Sequence, residues 1–179
     1  MLLSVVIPNY NYERYVGEAI ESALALDWPE IEVVVVDDGS TDGSRAVIDR
    51  YRDRVRVIHK ANGGQTDACN VGFAACTGQA VIFLDSDDVL RPSLMREAAA
   101  VWGPGVAKVQ FQMEIVDELG KPQGTIFPRY NSHPTPRRIR RWVKAAAAYP
   151  TPPGSGNVYA RAPLEAIFPL DGTESASDS

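Results

Sequence analysis

The chain has 179 residues, 45% of them hydrophobic and 23% charged, the balance of a globular domain large enough to bury a core. Its net charge of −5 argues against wholesale nucleic-acid binding. Its two cysteines, Cys69 and Cys76, make neither a zinc-site spacing nor a disulfide framework, so a reducing, cytoplasmic setting is expected.

The start, Met1-Leu2-Leu3-Ser4-Val5-Val6-Ile7, lacks the basic region and cleavage site of a signal peptide, and Pro8 interrupts it early. No apolar run approaches the length of a membrane-spanning helix. Up to residue 102 two hydrophobic patterns alternate. Residues 3–7, 31–36, 55–58 and 80–84 are nearly continuous apolar runs, the kind that a parallel sheet buried on both faces requires. Between them the apolar spacing is helical: Val16, Ile20, Ala23 and Leu24 share a face, as do Val47, Ile48 and Tyr51. So do Ala68, Val71 and Ala75, and then Leu94, Ala98, Val101 and Trp102, with Pro92 as an early helix residue. Strand and helix in alternation predict an α/β fold, a mostly parallel sheet with helices on both faces.

Beyond residue 102 the pattern changes. Gly103-Pro104-Gly105 breaks the chain, and a boundary between two subdomains is expected near residue 104. Residues 106–116 read as one long strand, and Gly120-Lys121-Pro122-Gln123-Gly124 as a turn into a short strand at 125–127. An amphipathic helix is expected over 137–148, then a Gly154-Ser155-Gly156 loop and a short helical stretch at 163–168. The polar end, from Asp171 to Ser179, has no capping element, so a longer natural chain is expected.

The chemistry gathers at strand ends, where open α/β sheets bind ligands. The first run ends in Pro8-Asn9-Tyr10-Asn11-Tyr12, the second in Asp37-Asp38-Gly39-Ser40, the fourth in Asp85-Ser86-Asp87-Asp88. Carboxylates converging on one edge repel one another unless a cation lies between them. A hard divalent ion, Mg²⁺ or Mn²⁺, shares its shell between one or two carboxylates and substrate phosphates, so the constellation points to a metal–diphosphate ligand.

Taken in order, Pro8-Asn9-Tyr10-Asn11, Asp37-Asp38-Gly39-Ser40-Thr41-Asp42, Asn62-Gly63-Gly64, Asn70-Val71-Gly72 and Leu84-Asp85-Ser86-Asp87-Asp88 resemble the large inverting family 2 glycosyltransferases of the Rossmann-like GT-A fold. The resemblance is dense over residues 3–96. It implies that residues 1–104 bind a nucleoside-diphosphate-sugar donor of UDP or GDP type, and that 105–179 form a partial, incomplete acceptor subdomain. It also implies roles. Pro8 and Tyr10 would border the base, Asp38 would accept from a base N–H, Asp85 would face the ribose or first phosphate, and Asp87 of the DxD pattern would hold the metal. The reaction would be inverting transfer to a hydroxyl on a saccharide or lipid-linked acceptor. Ser175-Ala176-Ser177-Asp178-Ser179 resembles the family segment whose Asp takes the acceptor proton, which makes Asp178 the expected base. A chain ending one residue past that base is expected to bind donor and metal but to transfer poorly. The sequence departs from the family at Cys69, where many members carry Arg, and it has no Gly-x-Gly-x-x-Gly fingerprint for NAD-type cofactors.

Other assignments compete for these residues. Asp42 is expected to cap a helix, and Asp88 to be solvated or capping. Asn62-Gly63-Gly64 and Asn70 are expected to support loops, His59 and His133 to be incidental, and both cysteines to face the core. A different class also fits part of the pattern: a Mg²⁺-binding receiver-like signalling module, with Lys108 as its lysine. That reading leaves residues 8–11, 62–64 and everything after 116 unused. A relative that binds nucleotide sugar without turnover is a third. Finally, residues 129–144 hold six of the 18 basic residues and no acid: Arg129, Arg137, Arg138, Arg140, Arg141 and Lys144. With Ile139, Trp142, Val143 and Ala146 as an apolar stripe, the helix is either packed on the sheet or in peripheral contact with the inner membrane face.

Overall fold

The computed structural model describes residues 1–130, 135–146 and 151–171. In chain order the elements are β1 (Leu3–Asn9), α1 (Val16–Leu24), β2 (Ile31–Asp37), α2 (Ser44–Asp49), β3 (Arg56–His59), α3 (Gln65–Ala75), β4 (Ala80–Phe83) and α4 (Leu94–Ala99). There follow β5 (Lys108–Gln110), β6 (Met113–Val116), β7 (Pro122–Phe127), α5 (Pro136–Ala146), β8 (Asn157–Ala160) and α6 (Arg161–Glu165). The chain folds as two compact units, one of Met1–Val109 together with Val158–Ser179, the other of Gln110–Asn157. The boundary expected near residue 104 lies within the first of these units, which the chain leaves at Val109 and rejoins at Val158.

The first unit is built on a six-stranded sheet in the order β3-β2-β1-β4-β8-β5. Strands β1 to β4 are mutually parallel, with β1 at the centre and every one of its residues buried. That burial explains the unbroken Leu-Ser-Val-Val-Ile sequence: a strand covered on both faces has no solvent side to alternate with. Each fully buried Val or Ile here stabilises the fold by about 1.5–3 kcal/mol. Helix α3 packs against β1 and β2, and Gly72 is the reason it can approach so closely, since a Cβ at that position would run into Val6 Cγ1. An aromatic group of Phe73, Phe83, Tyr159 and Phe168 extends the core between α3, β4 and the returning chain.

Three expectations change. The run 106–116 is two strands, β5 in the large sheet and β6 paired antiparallel with β7, because Phe111 between them donates its N–H to Gly156 O at 2.8 Å. The β8 strand was not expected at all, and it lies antiparallel to β4, so the sheet is mixed at one side. The helical turn expected at 163–168 begins earlier, as α6 at Arg161. Helix α5 falls where expected; the side chains of Trp142, Val143 and Ala146 lie outside those described. Among the described residues no helix is long and apolar enough to cross a membrane.

Candidate active site

Parallel register sets the back wall of the site. Asn9 at the end of β1 lies opposite Asp37 of β2, and Asp37 lies opposite His59 of β3. Their side chains form one hydrogen-bonded row. Asn9 Nδ2 donates to Asp37 Oδ1 at 3.2 Å, and His59 Nδ1 meets Asp37 Oδ2 at 3.3 Å. His59 Nε2 reaches Asp49 of α2 at 2.7 Å, and that contact is the main cause holding the Asp49 carboxyl below its ordinary value. His59 is therefore a bridge between two carboxylates and not incidental. Its sequence signal was only its place at a strand end.

The loops above this row are stapled to one another. Asn11, at φ 60°, offers Oδ1 to the amide of Thr41 at 2.8 Å, and its own N–H donates to Ser40 Oγ at 3.0 Å. The Tyr12 amide donates to Ser44 Oγ at 3.0 Å. Asp42 Oδ1 accepts the Ser44 amide at 2.9 Å, an i to i+2 turn just ahead of α2, whose N-cap is Gly43 and not the expected Asp42. Burial alone would raise the Asp42 carboxyl, but hydrogen bonds from Ser44 and Glu13 outweigh it and lower the value. Ser86 Oγ donates to Pro8 O at 2.9 Å, which ties the end of β4 to the end of β1. Gly39 sits at φ 76°, and a Cβ there would lie 2.7 Å from Asn62 N, so no other residue fits.

Together these loops enclose a cleft of about 570 Å³ lined by residues from the ends of β1, β2 and β4 and the start of α3. Pro8, Tyr10, Asp38, Asp85 and Asp87, the five expected donor and metal residues, all line it. Asp38 is 2% exposed and already has partners: Oδ1 accepts Gly63 N at 3.0 Å and the Lys60 ammonium, and Oδ2 accepts Gly64 N at 2.8 Å. Asn62-Gly63-Gly64 is thus a turn folded onto Asp38. Lys60 also pairs with Asp67 at 2.6 Å; burial would lower its pKa, but these carboxylates raise it. Asp85 accepts from Gln65 Nε2 at 3.1 Å, while Asp87 is exposed. Tyr12, to which sequence reasoning gave no role, also faces the cleft. Asp87 first, then burial, Asp85 and Tyr15 push its phenol above the ordinary value, so it remains a hydrogen-bond donor.

Among the described residues no three His, Cys, Asp or Glu side chains are grouped to hold a metal ion by themselves. Asp85 and Asp87 both line the cleft, and their carboxylate oxygens are the kind of donor that a hard cation completed by phosphate oxygens would take. Cys76 is buried as expected, but Cys69 is only partly covered. Burial and the nearby Asp85 push its thiol up to about 12, so it is an inert neutral group where a family arginine would have carried charge. Asn70 has a supporting role: its amide bonds both backbone groups of Leu170. Asp178 and His133 lie outside the described residues.

A mostly parallel α/β sheet with a carboxylate-lined cleft at its carboxyl edge fits the expected Rossmann-like GT-A fold. The chain belongs to Glycosyl transferase family 2, which it matches over residues 4–168. It is 41% identical over 178 residues to an uncharacterized glycosyltransferase of Nostoc sp., covering 96% of this chain and 54% of that protein. Among solved structures it resembles S. aureus TarS 1-349 in complex with UDP-GlcNAc, at 29% identity and a TM-score of 0.67, covering 93% of this chain and 47% of that one. The mannosyltransferase PcManGT from Pyrobaculum calidifontis, in complex with GDP-Man and Mn²⁺, shares the fold at 22% identity and a TM-score of 0.65, covering 93% of this chain and 46% of its own. The chain therefore spans about half the length of these proteins. The family match includes the segments that a receiver-like module would leave unused, and it overturns that alternative.

Proposed function

We propose that this chain supplies the donor half, residues 1–104, of an inverting glycosyltransferase that moves a sugar from a nucleoside diphosphate of UDP or GDP type to a hydroxyl on a saccharide or lipid-linked acceptor. The observation that carries the reading is the convergence of Pro8, Tyr10, Asp38, Asp85 and Asp87 on one cleft at the carboxyl edge of the sheet. In this reading the Tyr10 ring packs on the base, and Asp38, already bonded to Lys60 and two amides, presents its remaining lone pair to a base N–H. Asp85 faces the ribose or first phosphate, and Asp87 holds Mg²⁺ or Mn²⁺. When bound, the cation supplies charge stabilisation for the departing diphosphate.

The acceptor oxygen attacks the anomeric carbon on the face opposite the diphosphate. As the new C–O bond forms, the bond to the diphosphate oxygen breaks and its electron pair leaves with that oxygen. The hydroxyl proton passes to a carboxylate, which we assign to Asp178. Residues 105–179 contribute to the acceptor side. Arg137, Arg140, Arg141 and Lys144 are exposed at i, i+3, i+4 and i+7 of α5, one cationic face. That spacing supports peripheral contact with anionic lipid at the inner membrane face.

The test is thermal stabilisation by UDP, GDP, dTDP and CMP, each with and without Mn²⁺. Asp87→Asn should abolish the Mn²⁺-dependent part for a nucleoside diphosphate and leave the fold intact. Asp38→Asn should weaken nucleoside monophosphate binding by about 1.5–3 kcal/mol even without metal, the usual loss for a hydrogen bond to a charged acceptor. Metal-dependent binding that survives Asp87→Asn removes Asp87 from the mechanism. If Asp38→Asn affects only metal-dependent binding, Asp38 belongs to the metal shell.

A further inference from the structure

Asp38 lines the cleft, and behind it stands Lys60, which does not. The Lys60 ammonium has three N–H donors, and among the described residues three acceptors receive them: Asp38 Oδ1, Asp67 Oδ2 at 2.6 Å and Ala61 O at 2.6 Å. None is left over for a ligand, so any effect of Lys60 on one passes through Asp38. A carboxylate accepts at about four lone-pair sites, two on each oxygen. Asp38 Oδ1 accepts both Lys60 and Gly63 N at 3.0 Å, and Oδ2 accepts Gly64 N at 2.8 Å. Oδ1 is filled, and a site remains only on Oδ2. Backbone and turn fix this arrangement. Asp38 N donates to Asn9 O at 2.8 Å, and Lys60 N donates to Asp37 O at 3.0 Å. The 62–64 turn packs directly on the ion pairs: a Cβ on Gly63 would lie 2.5 Å from Asp67 Oδ2 and 3.0 Å from Lys60 Nζ.

Uracil and guanine meet such an acceptor differently. The pairing edge of uracil carries a single N–H between two carbonyls. Guanine carries two adjacent donors, its ring N–H and its exocyclic amine, and a carboxylate satisfies both only with a free site on each oxygen, as it does for an arginine fork. Beside Asp38 the second guanine donor would face a filled Oδ1 and the ammonium charge behind it. Uracil would instead turn a carbonyl toward that charge. We infer that Lys60 is a positioning residue that sets base selectivity: by occupying Asp38 Oδ1 it makes the donor cleft a uridine site and rejects guanosine. This rests on the transferase reading above, in which Asp38 meets the base, and deepens it by choosing between the two nucleotide types.

Nucleoside monophosphates without metal isolate the base from the diphosphate. Titrated calorimetrically with UMP and GMP, the full chain should bind UMP about 10- to 100-fold more tightly, the cost of one buried donor left unpaired. Lys60→Met frees a site on Oδ1 and removes the charge, so the two affinities should come within about threefold of each other. Asp67→Asn removes the outer partner of Lys60 but leaves the ammonium on Asp38, so it should keep the preference for UMP. A UMP-to-GMP ratio unchanged in Lys60→Met, whether or not both affinities fall, makes Lys60 merely structural and overturns the inference. Wild-type chain that binds GMP as tightly as UMP also overturns it, and that result needs no variant to fold. In both cases, binding of UDP or GDP with Mn²⁺ leaves the transferase reading standing. A chain that binds neither diphosphate, with or without Mn²⁺, overturns that reading and the inference with it.

Discussion

Individual side chains behind the cleft do more than the motif letters suggest. The row Asn9–Asp37–His59–Asp49 crosses three neighbouring strands and ends on α2, and Asp37 within it has a side chain only 1% exposed. Removing His59 leaves a buried carboxylate short of a partner, so His59→Ala should destabilise the fold by about 1.5–3 kcal/mol in urea unfolding. A variant as stable as wild type would show that water replaces the imidazole without loss. At the opposite end of the sheet, Glu32 accepts from Ser4 Oγ at 2.6 Å, Gly78 N at 2.8 Å and Thr77 Oγ1 at 3.1 Å. Burial would raise its carboxyl, but these bonds outweigh it and hold the pKa below 4.5. A depressed folded value means stability that is complete above the unfolded value and lost as pH falls through the folded one. Glu32→Gln should therefore cost about 1–3 kcal/mol near neutrality, and the gap in Tm from wild type should close in acid below pH 4.5. A gap that stays constant down to the lowest pH measured would exclude ionisation as its cause.

Among the elements, α3 is the one on which most depends. It fills one face of β1 and β2, supplies one wall of the cleft and holds Leu170. Its close approach at Gly72 predicts that Gly72→Ala overpacks the helix against Val6 and costs about 1–3 kcal/mol, despite the better helix propensity of alanine. Calorimetric unfolding measures the sign directly: a stabilised variant would mean that α3 lifts off without penalty. The β5–β6 region teaches the opposite lesson about elements. One continuous β-prone run serves two different sheets, and the change of partner at Phe111 leaves no local mark in the residue pattern.

Charge is distributed unevenly over the whole molecule. Residues 110–157 hold seven of the 18 Lys and Arg but three of the 23 Asp and Glu, a balance of +4 that leaves −9 for the rest. A protein acidic in total thus carries a cationic unit with α5 as its densest part. If that face meets anionic lipid, the protein should sediment with vesicles containing phosphatidylglycerol and not with phosphatidylcholine alone. Arg140→Glu with Arg141→Glu should weaken this by several-fold, at about 1 kcal/mol per cation near the surface, and salt should weaken it too. Equal binding to neutral vesicles, or none to either, would remove lipid from the reading of α5.

Local pattern was sufficient for the α/β alternation and the carboxyl-edge loops, whereas Tyr12, Gln65 and Ala68 in the cleft were not foreseen. Each depends on chain-neighbour physics: unbroken apolar runs for doubly covered strands, 3.6-residue spacing for helices, and Gly, Asn and Asp where the backbone must turn. Tertiary structure alone decided the rest. That β8 returns antiparallel beside β4, that Asp37 and His59 are register partners, and that Asp38 is enclosed by Lys60, Gly63 and Gly64 all depend on segments distant in sequence. Residues far apart in the chain meet only after the sheet has assembled, so their pairing energy is written in register and packing, not in the order of the letters.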